Sequence, residues 1–128
     1  MHLPAAVPIC WQEYFSSILL NAISIYREKK LETLHFEFRA GRQFIQRRVQ
    51  VGVVASGNLE VLLEPEFSPV SRVRVRTSVV GYREEWTAIL RIFFERHDVA
   101  AAIEINDGGA SPPIALLRLE QALEESRK

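Results

Sequence analysis

Cysteine is nearly absent from this 128-residue chain, which has one, Cys10. A single thiol cannot close an intramolecular disulfide, which suits a reducing cytosol. From Leu31 onward there is no thiol at all. Net charge is missing too. Sixteen Lys and Arg cancel sixteen Asp and Glu, so no overall field draws the molecule to nucleic acid or to a membrane surface. No apolar run is long enough to span a bilayer. The stretch from Tyr14 to Tyr26 carries Ser16, Ser17 and Asn21 and falls short of the about 20 residues a spanning helix needs. No Lys or Arg precedes Arg27, so the basic n-region of a secretory signal is lacking. Internal repeats and low-complexity tracts are absent as well.

What is present is an ordinary globular composition. A hydrophobic content of 48% argues against disorder, and the length fits one domain, commonly about 100–150 residues. Residues 1–30 stand apart as an N-terminal extension. There Trp11, Phe15, Ile18, Leu19, Ala22 and Tyr26 fall at the spacing of an amphipathic helix.

The domain proper is read as residues 31–128. Leu34, Phe36 and Phe38 alternate with Thr33, His35 and Glu37, the period of a half-buried strand. Val49, Val51 and Val53 form a second run, Leu59, Val61 and Leu63 a third, and Val73, Val75 and Val79 a fourth. Short connections between them favour antiparallel pairing. The period then changes. Trp86, Ile89, Leu90, Phe93 and Phe94 make one helical stripe. Ala101, Ile103 and Ile105 predict a fifth strand, stopped by Asp107-Gly108-Gly109. Ser111-Pro112 is a helix start, the serine oxygen capping orphan amides and the proline sitting in the first turn. A second helix follows, with Ala115, Leu116, Leu119, Ala122 and Leu123 on one face. The order β-β-β-β-α-β-α predicts an α+β fold: a mainly antiparallel sheet of about five strands with two helices on one face.

The turn between the second and third strands can be read more closely. A two-residue loop, Gly57-Asn58, would set core-facing Val53 opposite outward-facing Leu62, which violates the two-residue period of a sheet. A three-residue loop, Ser56-Gly57-Asn58, pairs Val53 with Val61 and Val51 with Leu63. Such loops usually end in a left-handed residue, and asparagine tolerates that conformation. Ser56 is then the first loop residue, exposed at a hairpin tip between Ala55 and Gly57. Most turn serines simply hydrogen-bond their own backbone, and no His–Asp pair is implied nearby for a hydrolytic triad.

Several segments, in order, resemble one family. They are Leu31-Glu32-Thr33-Leu34, then Val51-Gly52-Val53-Val54-Ala55-Ser56-Gly57-Asn58-Leu59-Glu60-Val61, then Thr77-Ser78-Val79 with Trp86. Asn106-Asp107-Gly108-Gly109-Ala110-Ser111-Pro112 and Leu117-Arg118-Leu119-Glu120-Gln121-Ala122-Leu123-Glu124-Glu125 complete the set. Together they resemble the acyl-carrier (delta) subunit of malonate decarboxylase, a relative of the citrate lyase carrier subunit. In that family a serine in the context Ser-Gly-Asp-Leu/Met-Glu-Val carries 2'-(5''-phosphoribosyl)-3'-dephospho-CoA through a phosphodiester. The resemblance implies that Ser56 is the attachment point, with Gly57 and Asn58 completing the cofactor-binding turn. The chain departs from the pattern at Asn58, where the family has Asp, at Gly108, where it has Phe, and at Pro113, where it has Gly. Asn58 keeps a turn-forming residue but removes a charge that an attaching enzyme could read.

The resemblance further implies a carrier with no catalytic acid or base of its own, holding acetyl and malonyl as thioesters. Its partners would be an acetyl/malonyl transferase subunit, carboxylase-like decarboxylase subunits and the holo-carrier synthase that attaches the group. Residues 31–128 have no thiol, so sulfur must arrive on the cofactor, and a tether raises the local concentration of the acyl group at each partner site. Family members begin near Leu31, which makes residues 1–30 either a true extension or an over-long start. A citrate-lyase-type carrier is the sibling alternative; an unmodified binding or scaffolding module is the alternative from another class.

Other features read as structural. Arg72, Arg74 and Arg76 line one strand face, and pairing of Arg72 with Glu64 and Arg76 with Glu60 would offset their charge. No aromatics interleave with them for base stacking. His35 and His97 show no metal-ligand spacing. Asp98, Glu104 and Asp107 are read as ordinary loop and strand-surface acids.

Overall fold

The computed structural model describes residues 31–128. Cys10, the helix predicted from Trp11 to Tyr26 and the extension as a whole lie outside the described residues.

Six strands and two helices follow one another. They are β1 (Glu32–Arg39), β2 (Gln43–Phe44), β3 (Val49–Gly52), β4 (Leu59–Pro65), β5 (Val70–Thr77), α1 (Arg83–Arg96), β6 (Val99–Asp107) and α2 (Pro112–Ser126). The strands form one mixed, mostly antiparallel sheet in the order β1-β5-β6-β4-β3, with the two-residue β2 lying parallel beside the start of β6. This is the α+β fold that the alternating and helical periods predict.

The apolar face carries the core. Leu34 and Phe36 of β1, Val61 and Leu63 of β4, Val73 and Val75 of β5, and Ile103 and Ile105 of β6 are all buried in one cluster. Trp86, Ile89, Leu90 and Phe93 of α1 and Ala115, Leu119, Ala122 and Leu123 of α2 close over them. Each large side chain buried this way stabilises the fold by about 1.5–3 kcal/mol. Phe94 is only partly buried, stacking on Phe38 at 4.6 Å between ring centroids. The opposite sheet face is charged and open. Among the described residues no helix is long and apolar enough to cross a membrane.

The strand order departs from simple succession. Of successive strands only β3–β4 and β5–β6 are neighbours in the sheet; β1 pairs with β5 and β4 with β6. β5 and β6 run parallel, because the intervening α1 returns the chain to the same end of the sheet before β6 starts. β6 takes the central place because its sequence is the most apolar on both faces, with Val99, Ala100 and Ala101 buried in succession.

This insertion overturns the predicted charge pairs. With β6 between β4 and β5, Arg72 faces Glu37 of β1 instead of Glu64, and Arg76 faces Thr33 and Asn106 instead of Glu60. Glu64 pairs with Arg48 at 3.0 Å, Arg72 with Glu37 at 3.9 Å, and Arg74 with Glu104. The charges of Arg48, Arg72 and Arg74 are thus offset by acids, at about 0–1 kcal/mol for each exposed pair, while Arg76 faces neutral Thr33 and Asn106.

Two smaller expectations also change. β5 ends at Thr77, so Val79 lies in the following loop and is 37% exposed. Ser111 does hold the N-cap position with Pro112 at the helix start, but its side chain makes no capping bond. Its carbonyl oxygen instead accepts the N–H of Ala115.

Candidate functional site

Ser56 lies in the connection from β3 to β4. Val51 stands opposite Val61 and Val49 opposite Leu63, so the predicted pairing of Val53 with Val61 is replaced by one shifted two residues. β3 stops at Gly52, and Val53 and Val54 are exposed at 58% and 57%. The connection is therefore a six-residue loop, Val53 to Asn58, rather than Ser56-Gly57-Asn58 alone.

At its tip the chain reverses through Ala55-Ser56-Gly57-Asn58, closed by the Asn58 N–H donating to the Ala55 carbonyl at 2.9 Å. Gly57 has φ +73°, the left-handed third position of a type II turn that favours glycine. Asn58 was the residue expected to be left-handed, yet no described non-glycine residue has positive φ. Ser56 is the second residue of the turn and is exposed. A side chain built at Gly57 would meet nothing within 4 Å, so the space beside the serine is open. The bonds that close the turn run between backbone groups, and the Ser56 hydroxyl takes part in none of those described.

A second loop supports the first. Asp107, at the end of β6, is only 3% exposed. One of its oxygens accepts the Thr77 hydroxyl at 2.7 Å; the other accepts the N–H groups of Gly109 and Ala110 at 3.0 and 2.8 Å. These bonds compensate the cost of burying a carboxylate and fix the chain at Gly108. From there the Gly108 carbonyl accepts the Gly57 N–H at 3.1 Å, and the Gly108 N–H donates to the Asn58 carbonyl at 2.9 Å. The approach is so close that a Cβ on Gly108 would lie 2.2 Å from the Ala55 oxygen. Asp107, expected from its sequence to be an ordinary surface acid, is buried instead. Its signal was an Asp two residues before a glycine in an Asp-Gly-Gly turn, the pattern of a side chain that hydrogen-bonds nearby backbone N–H groups.

The third support comes from α2. Asn58 Oδ1 accepts the Leu59 N–H at 2.8 Å and the Arg118 Nε–H at 3.3 Å. Val53 and Val54 in the Ser56 loop, and Val79, Val80 and Tyr82 between β5 and α1, are exposed apolar side chains. Next to the Asp107 loop is a hollow of about 250 Å³, with Val79, Trp86, Ile89 and Ala110 among its walls.

Among the described residues no acid or base hydrogen-bonds the Ser56 hydroxyl. His97 bonds Glu120 between the helices at 2.6 Å, His35 lies on the exposed strand face, and the Asp107 oxygens are occupied. Among the described residues no group of three or more His, Cys, Asp or Glu is placed to hold a metal ion. The site thus offers an exposed hydroxyl on a braced turn.

Comparison with known proteins points one way. Residues 46–126 match the family model described as malonate decarboxylase delta subunit (MdcD). The malonate decarboxylase acyl carrier protein of Azotobacter vinelandii is 49% identical over 96 residues, which span 74% of this chain and 96% of that protein. Its counterpart in Burkholderia cepacia is 47% identical over 97 residues, 74% of this chain and 90% of that one. Among solved structures, a chain of a Pseudomonas malonate decarboxylase hetero-tetramer in complex with malonate superposes with a TM-score of 0.69 at 46% identity, covering 98% of that chain and 74% of this one. This chain belongs to the malonate decarboxylase delta-subunit family of acyl carrier proteins.

Proposed function

We propose that the chain carries acyl groups for a malonate decarboxylase complex, with Ser56 bearing 2'-(5''-phosphoribosyl)-3'-dephospho-CoA through a phosphodiester. The observation that carries this reading is the Ser56 turn itself: an exposed hydroxyl, open space beside Gly57, and backbone bonds that hold the tip in place. The residues fit such a group. A hydroxyl is a stable anchor, and small neighbours at Ala55 and Gly57 leave it accessible to an attaching enzyme. When bound, the group supplies the thiol that residues 31–128 lack, able to hold acetyl or malonyl as a thioester.

The protein's own residues present and orient the arm. Asp107 and Gly108 keep the turn from folding back, and Asn58 ties it to α2. Among the described residues no base hydrogen-bonds Ser56, which is consistent with activation of its hydroxyl by a holo-carrier synthase. The related chain of known structure belongs to a hetero-tetramer. By analogy the partners here are an acetyl/malonyl transferase subunit and carboxylase-like decarboxylase subunits, in the cytosol. Carrier function resides in residues 31–128, with residues 1–30 an N-terminal extension.

The test is the mass of the Ser56 peptide from protein purified out of its native host. An added phosphoribosyl-dephospho-CoA mass on wild type, absent from Ser56→Ala together with malonate decarboxylation, is the expected result. An unmodified serine in an active complex overturns the proposal.

A further inference from the structure

Of the three supports of the Ser56 turn, two are backbone bonds to Gly108 and one is a side chain, Arg118. We infer that Arg118 is a positioning residue for attachment at Ser56, acting through Asn58. The inference rests on the carrier role proposed above and deepens it.

Arg118 is itself held. From the exposed side of α2, its Nη1–H donates to the Gln121 Oε1 at 2.8 Å. Its stem crosses Gly52, where a Cβ would come within 3.3 Å of the Arg118 Cδ. Its Nε–H then reaches Asn58 Oδ1, the same oxygen that accepts the Leu59 N–H. A planar guanidinium fixed at one edge has little freedom at the other, so Asn58 is tied to a rigid helix two residues from the reacting hydroxyl. In attachment the Ser56 oxygen forms a bond to phosphorus of an activated phosphoryl donor. The donor's leaving group departs with its own oxygen, and the serine proton passes to a base on the synthase. Such a displacement is sensitive to the placement of the nucleophile. Arg118 would thus raise the rate by keeping the oxygen where the synthase expects it. With asparagine at position 58, the bond is one between an ion and a neutral amide; a carboxylate there would add an opposite charge and strengthen it.

The experiment is a double-mutant cycle on the full chain, following mass addition at Ser56 over time in the native host, with hydrogen exchange of the Gly57 amide measured on the unmodified protein. Arg118→Met keeps the packed stem and removes the donor, and Arg118→Ala serves as the second variant. Each, like Asn58→Ala, slows attachment about three- to tenfold and speeds exchange at Gly57 by a similar factor, the range set by one net hydrogen bond. The combination of Arg118→Met with Asn58→Ala is no slower than the worse single variant. Asn58→Asp speeds attachment when Arg118 is present and not when it is methionine. Multiplying losses in the double variant, or attachment at the wild-type rate in both Arg118 variants, overturns the inference while the carrier role stands. An unmodified wild-type serine overturns both.

Discussion

At one end of β6, Gly108 brings the following loop onto the Ser56 turn; at the other end, Gly41 brings the β1–β2 loop against the start of the same strand. Both contacts are backbone to backbone. A Cβ on Gly41 would lie 2.2 Å from the Asp98 carbonyl carbon, and one on Gly108 would lie 2.2 Å from the Ala55 oxygen. Paired hydrogen bonds accompany each: Gly41 N–H to Val99 and Gln43 N–H to Asp98 at one end, Gly57 N–H to Gly108 and Gly108 N–H to Asn58 at the other. What stands around them differs. The Gly41 end is finished by surface groups, an exposed Arg42–Asp98 ion pair at 2.9 Å and the Phe44–Phe67 ring pair at 5.7 Å. The Gly108 end has a buried carboxylate beneath it and an exposed serine above it. The same backbone device closes a sheet in one place and, resting on Asp107, holds the exposed Ser56 turn steady in the other.

Removing the buried carboxylate breaks the comparison most sharply. Asp107→Ala leaves the Thr77 hydroxyl and the N–H groups of Gly109 and Ala110 without their partner. The expected loss is about 3 kcal/mol of stability, read from the denaturant midpoint.

Next come the two glycines. Gly41→Ala and Gly108→Ala each force backbone apart, at about 1–3 kcal/mol, and so lower the melting temperature by similar amounts. Only Gly108→Ala slows attachment at Ser56. Equal attachment rates in the two variants would show that the Gly108 contact has no part in presenting the serine. Ser56→Ala lies at the far end of the stability scale. It removes an exposed side chain outside the core, so stability changes by less than about 0.5 kcal/mol while attachment is lost entirely.

The smallest effect belongs to the Gly41 end, at Glu66. The Ser68 N–H donates to its Oε1 at 3.0 Å and, as the largest cause, holds the carboxyl below its ordinary value. A depressed folded value stabilises above the unfolded value and is lost as pH falls through the folded one. Glu66→Gln is therefore slightly less stable than wild type at pH 7 and equal to it in acid below the folded value, with attachment unchanged throughout. A difference between the two proteins that persists in acid would show that Ser68 does not act through the charge.

Much of this was legible from residue order. Inward-facing Leu34, Phe36, Val61, Leu63, Val73 and Val75 and the stripes of both helices lie where alternation and helical spacing put them. The hairpin register was not. The predicted and observed pairings of Val51, with Leu63 and with Val61, differ by two residues, and a shift of two leaves every side chain on its own face. Hydrophobic pattern cannot distinguish them. Val53 and Val54 continue the apolar run in sequence but stand exposed, because the loop must widen for Gly57 to turn and for Gly108 to reach it. β2, only two residues long, had no period to detect.

The sequence by itself determined the elements, the sided core, the missing thiol and an exposed turn serine at position 56, because these depend on local periods and on residue types. Tertiary structure decided that β6 divides β4 from β5, that Arg72 faces Glu37 and not Glu64, that Asp107 is buried, and that Arg118 meets Asn58. Each of those joins residues far apart along the chain, and is set by which strand buries the most apolar surface and by where backbone can approach backbone.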